Sequence, residues 1–255
     1  MSLVENITVD VGAAAVSAAS VAPVISIIDK AIFSNASGKD TLGNSIKSSL
    51  RELILRPHVF LKSPTCLWIY AVYCGTYITA NSIQTITEYL ETEETIPKFI
   101  GSSIANTTLS VMKDRYFTKA YGVNVNQNPV GLGTLSCYTV RDASTIFASF
   151  VLPEHVSRAM QDNGMDADVA NTSAQLFSPC FAQIFSTPIH LYGMDLYNKP
   201  YQKFGDRMKF IKKEYTRTLS ARIARIFPAF GICAVLNKKI RKQYHTPPMV
   251  KLIPI

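Results

Sequence analysis

Before Lys30 the chain has no arginine or lysine, and its first twenty residues carry the acids Glu5 and Asp10. A secretory signal needs a basic start and a transit peptide is Arg-rich and acid-poor, so MSLVENITVDVGAAAVSAAS fits neither and any address is internal. Cysteine is sparse and unpatterned. Cys66, Cys74, Cys137, Cys180 and Cys233 show no CxxC or His spacing, and each lies in an uncharged run. They read as small buried hydrophobes in a reducing setting, against a metal site. The glycines of GVNVNQNPVGLG (122–133) lack the order of a phosphate loop, and Asn and Pro mark the segment as a linker. No Ser-His-Asp or paired-carboxylate set falls on one face, so an enzyme, a catalytic residue and a cofactor are not expected.

What the chain has is apolar length. Uncharged runs cover 11–28, 63–87, 99–112, 143–153, 169–194 (broken only by His190) and 226–237. Small residues crowd the odd-numbered runs, as in GAAAVSAAS, GSSIANTT and ANTSA, and such faces let helices approach closely in a membrane. Ala and Ser would equally line a soluble helix bundle. Mean hydropathy is +0.13, which suits a polytopic protein with a polar cavity or an ordinary helical core.

Charge discriminates between the two. The links after runs one, three and five sum to +3, +3 and +6; those after runs two and four each sum to −3, and the N-terminal segment to −2. A six-helix membrane protein with both termini on one face sorts charge this way, whereas a soluble bundle has no reason to. The basic C-terminal residues Lys238, Lys239, Arg241, Lys242 and Lys251 break the pattern.

Prolines act as rulers. Pro64, Ser144 and Pro228 hold corresponding places in the even runs, and Pro23, Ser110 and Pro188 in the odd ones, so the chain divides into three units of roughly 85 residues, each a helix pair. The expected fold is therefore an all-α membrane protein of six transmembrane helices in three pseudo-repeats, a single domain over 1–255 with repeats near 8–92, 93–165 and 166–245 and a tail at 246–255.

These features together resemble the mitochondrial carrier family. The best match is RIARIFPAFGICAVLNKK, where Arg225, Pro228, Ala229, Gly231 and Ile232 fit that family's sixth helix, and GTYITAN (75–81) is similar to its second. The resemblance implies proline kinks at Pro23 and Pro188. It also implies gate networks at Pro-x-acid-x-x-base triplets, which here read Pro23-Ile25-Ile28, Ser110-Met112-Arg115 and Pro188-His190-Gly193, and at even-helix pairs, of which Glu154 and Lys238 carry charge. On these triplets one base survives and no acid. Gate candidates are thus Arg115, Glu154, His190 and Lys238. For His190 the blander alternative is a neutral, hydrogen-bonded side chain between helices.

The family's contact points imply substrate binding by Lys62, Arg141, Asp142 and Arg225. Charges at membrane depth are costly and normally face a water-filled cavity. Three bases with one acid favour a small anionic solute held by guanidinium hydrogen bonds. The alternative is that Lys62 and Arg225 snorkel from helix ends while Arg141 and Asp142 pair with each other. The net charge of +8 could mean nucleic acid, yet KFGDRMKFIKKEYTRTLSARIAR (203–225) has no recognition motif. Under the resemblance it becomes an amphipathic surface helix before the sixth span, suited to anionic lipid such as cardiolipin. The resulting expectation is a transporter of a small anion working by alternating access, multi-pass in a mitochondrial membrane, inner rather than outer. The alternative is a carrier-like adaptor or morphology protein that transports nothing.

Overall fold

The computed structural model describes residues 2–123, 129–150 and 152–245, and all regular structure among them is helical. In chain order the helices are α1 (Leu3–Ser37), α2 (Leu42–Leu55), α3 (Pro57–Leu61), α4 (Pro64–Tyr89), α5 (Thr95–Tyr121), α6 (Leu132–Phe150), α7 (Leu152–Asp162), α8 (Ala167–Asn198) and α9 (Phe204–Ile226). The last runs through a π-helical stretch (Phe227–Ala234) into α10 (Val235–Tyr244). The tail at 246–255 and part of the linker at 122–133 lie outside the described residues.

Local chemistry sets the ends. At the start of α1, Ser2 and Glu5 form a reciprocal capping box, with Glu5 accepting from the Ser2 backbone at 2.8 Å. Gly38 ends the helix with φ of 79°, a left-handed conformation that glycine takes without steric cost. Ser63 caps α4, whose first residue is Pro64, where a missing N–H costs nothing. Pro188 lies inside α8 and cannot bond the carbonyl of Ile184 one turn back; Tyr215 of α9 donates its hydroxyl to that oxygen at 3.0 Å instead. Pro23 and Pro188 thus lie within continuous helices, α1 and α8.

Neighbours follow chain order. α1 packs on α4, α4 on α5, α5 on α6, α6 on α8 and α8 on α9, and the π-helical stretch and α10 return to α1. Six long helical segments therefore close a ring. α1 leans into it, touching α5 and α8 as well, and its small residues Ala13, Ala14, Ser17, Ala18 and Ala22 are all buried. Gly193 lets α8 meet α6: a Cβ there would sit 2.9 Å from Cys137 Cβ. The tyrosine stripe of α4 (Tyr70, Tyr73, Tyr77) and Trp68 are partly buried against the core.

The helices outrun the uncharged stretches. Asp29, Lys113, Asp114, Arg141, Asp195, Arg222 and Arg225, assigned to links from the sequence, all lie inside helices. The basic segment at 203–225 is likewise not a separate surface helix: it is the first half of one continuous helical rod, Phe204–Tyr244. Among the described residues, two helices are long and apolar enough to cross a membrane, Leu3–Ser37 and Phe204–Tyr244.

Candidate functional site

The charges carried into the bundle meet in one layer. Asp29 of α1, 2% exposed, accepts from Lys113 of α5 at 2.7 Å and from Arg225 of α9 at 2.9 and 3.0 Å. Lys113 also lies 2.8 Å from Asp114, and Asp114 lies 2.5 Å from Arg141 of α6. Arg141 holds the adjacent Asp142 through two nitrogens, at 2.9 and 2.7 Å. Its Nη1 donates to Nδ1 of His190 on α8 at 2.8 Å. An arginine has no acceptor, so that histidine nitrogen carries no proton. Each ion thus has an opposite charge within ion-pair distance, the condition under which charge survives away from water.

Aromatic rings pack against this layer. The Arg141 guanidinium lies 5.2 Å from the centre of the Tyr138 ring, and Lys113 Nζ lies 5.3 Å from that of Phe117. Phe33, one turn beyond Asp29, meets Phe117, Tyr138 and His190 edge-on. Nearby, Arg222 of α9 is buried and donates to two neutral acceptors of α8, Gln183 at 2.9 Å and Ser186 at 3.1 Å.

A second polar cluster ties the other end of α1. Asp10, fully buried, accepts from Arg241 of α10 at 2.6 Å and from the hydroxyl of Thr85 on α4. Arg241 also donates to Gln84 at 2.5 Å. Beside it, Asn81 and Asn237 exchange two amide hydrogen bonds, at 2.9 and 3.0 Å. Asp10 and Asp29 are nineteen residues apart on one helix, roughly 28 Å along its axis.

Of the residues singled out from the sequence, Arg141, Asp142, His190 and Arg225 come together in the first layer. Lys62 does not: it caps the short helix α3 and is exposed. Arg115 and Lys238 point outward and are exposed too. Each lies one position from the residue that turns inward, Asp114 and Asn237, and one residue on a helix is a rotation of about 100°. Glu154 lies in α7, and its side chain is outside those described. Pro23 and Pro188 sit within α1 and α8, both half-buried. The triplets hold no acid, but the odd helices do carry acids: α1 supplies Asp29, one residue past its triplet, and α5 supplies Asp114, between Met112 and Arg115 of its own. Lys113, Arg222, Asp10 and Arg241 were likewise missed. Asp10 and Lys113 border uncharged runs, which was their signal, whereas Arg222 and Arg241 sit within basic stretches that single out neither.

A ring of long helices around a buried ionic layer, with two helices apolar enough to cross a bilayer, has the build of a membrane protein. The chain belongs to the probable citrulline exporter family, whose model matches residues 13–245. This corrects the resemblance to mitochondrial carriers, since a different family accounts for nearly the whole chain. The pattern that suggested it, Arg225 to Ile232, mixes proline with small residues; here that chemistry builds a π-helical stretch. No curated protein matches the chain. An exporter is a transporter and not an enzyme.

Proposed function

We propose that this protein is an integral membrane exporter of a small solute, which is taken up at the layer of Asp29, Lys113, Asp114, Arg141, Asp142, His190 and Arg225. The six long helical segments cross the bilayer as three pseudo-repeats. The spacing of Asp10 and Asp29 supports this, because roughly 28 Å of uncharged helix between two polar clusters matches the 30 Å of bilayer hydrocarbon.

The observation that carries the reading is the charge layer itself. Ionised groups buried in a helix bundle are expensive even at the edge of the hydrocarbon, where Asp29 places this layer, and persist where they meet ions or substrates. Basic groups alone would favour an anion. Asp29, Asp114 and Asp142 balance Lys113, Arg141 and Arg225 one for one, so the layer suits a solute bearing both signs. An amino acid carried as a zwitterion has that character, and citrulline is the one in the family's description. With the carrier resemblance withdrawn, the mitochondrial address loses its support, and the proposal stops at a membrane. Outward basic residues of α9 such as Lys209, whose side chain is 83% exposed, are placed to meet anionic lipid head groups.

Purified protein in liposomes loaded with labelled citrulline tests the reading. Efflux should require the protein and fall when Arg141 is replaced by alanine. If no amino acid leaves and Arg141→Ala lowers only the melting temperature, the layer is a structural core and the adaptor reading replaces the exporter.

A further inference from the structure

Arg222 stands apart from the other buried bases. Its side chain is as deep as that of Arg141, at 4% exposure, yet among the described residues it pairs with no carboxylate. Gln183 accepts from Nε and Ser186 from one Nη2 hydrogen. Both acceptors are neutral, so they hold the guanidinium in place without an ion-pair partner, and Asp142 and Asp29 attract it only from beyond ion-pair distance. The Nη1 hydrogens have no described partner. Burial of a charge without a counter-charge is among the costliest arrangements in a protein, and more so within a membrane.

The surroundings are prepared for an acceptor. Thr218, one turn before Arg222 on α9, and Thr187, next to Ser186 on α8, are fully buried, and neither hydroxyl has a hydrogen-bond partner. The antiparallel register of α8 and α9, fixed by Arg222 on Gln183 and by Arg207 on Asp195 at 2.9 Å, brings positions 187 and 218 to the same level. Arg225, one turn further on and on the same side of α9, has a side chain 28% exposed. Counting Arg222, the bases Lys113, Arg141, Arg222 and Arg225 face the acids Asp29, Asp114 and Asp142, an excess of one positive charge.

We infer that Arg222, held by Gln183 and Ser186 and flanked by Thr187 and Thr218, is the receptor for a single carboxylate of the exported solute. One free guanidinium fork matches one carboxylate in two-point contact. Two hydroxyl donors complete its hydrogen bonding. The excess of one charge selects a monocarboxylate over dicarboxylates and nucleotides. This inference rests on the exporter reading and specifies which end of the solute it recognises and where.

The test is efflux from liposomes containing the full chain, measured for labelled citrulline and for citrulline amide, in which the carboxylate is replaced. Wild type should export the acid and discriminate strongly against the amide. Arg222→Gln should reduce citrulline export roughly 10- to 100-fold, the range of a lost charged hydrogen bond, leave amide export unchanged and keep the melting temperature in detergent. If Arg222→Gln keeps wild-type discrimination, the carboxylate binds elsewhere and the exporter reading stands. If wild type exports neither compound, the exporter reading fails and this inference with it. Should Arg222→Gln not fold, Arg222→Lys is read in its place, since it keeps the charge and loses the fork. A fall in citrulline affinity with an unchanged melting temperature supports the site, and wild-type affinity overturns it.

Discussion

Replacing Asp29 by Asn leaves the shape of α1 intact and removes one negative charge from the centre of the ionic layer. Two cations lose a partner, but not equally. Lys113 keeps Asp114 at 2.8 Å, so it stays compensated. Arg225 has no other carboxylate partner among the described residues and is left as an orphaned charge. Removing one partner of a buried ion pair costs about 3–5 kcal/mol. Arg225 is 28% exposed, which screens part of that, so a loss near the lower end, about 2–3 kcal/mol, is expected. For a chain of this size that is about 4–12 °C in melting temperature. Thermal unfolding of the purified protein in detergent, followed by tryptophan fluorescence or light scattering, measures it. The double variant Asp29→Asn, Arg225→Gln is the sharper arm, because removing the orphaned charge should restore part of the loss. An Asp29→Asn protein as stable as wild type, or a double variant less stable than the sum of the two singles, would refute the pairing argument.

Other outcomes follow from the same structure. Gly193→Ala should destabilise by about 1–3 kcal/mol, because its Cβ would lie 2.9 Å from Cys137 Cβ and force α8 from α6; the melting temperature reports it. Arg241→Gln should loosen the polar cluster at Asp10, and hydrogen exchange of α10 should then rise while that of α6 stays constant. Single cysteines placed near Glu93 and Lys209 should react with an impermeant thiol reagent from opposite sides of a sealed vesicle, and equal labelling from one side would end the six-span proposal. Replacing Lys209, Lys212 and Lys213 by Gln should weaken binding to cardiolipin vesicles by about 1 kcal/mol per charge, whereas tight RNA or DNA binding at physiological salt would count against the lipid assignment.

How far the sequence could be read depended on scale. The all-helical class and the positions of the long helices were legible, because apolar length and proline spacing are properties of whole segments. The ends were not: a helix stops at a cap, and nothing in an uncharged run announces that Asp29 or Arg222 continues it. The same error hid part of the site. Arg141, Asp142, His190 and Arg225 were found, all four by position in a borrowed register, with the adjacent Arg141 and Asp142 also visible as a pair. Asp29 and Asp114 were passed over because a borrowed register inspected neighbouring residues, and on a helix a neighbour faces elsewhere. Arg115 and Lys238 were chosen by that register and lie outside. The family itself was misread because RIARIFPAFGICAVLNKK encodes a backbone irregularity that more than one family can use.

That irregularity has a rotational consequence. In the π-helical stretch from Phe227 to Ala234, hydrogen bonds span five residues instead of four, which is equivalent to inserting a residue into the winding. Everything beyond it is phased accordingly, and the contacts of Asn237 with Asn81 and of Arg241 with Asp10 depend on that phase. Were the stretch to rewind as an ordinary α-helix, α10 would turn by about 100° about its own axis and carry both side chains off α4 and α1 together, with Arg225 and Asp29 on the near side undisturbed. The winding of eight residues therefore acts as a torsional coupling between the two ends of the rod.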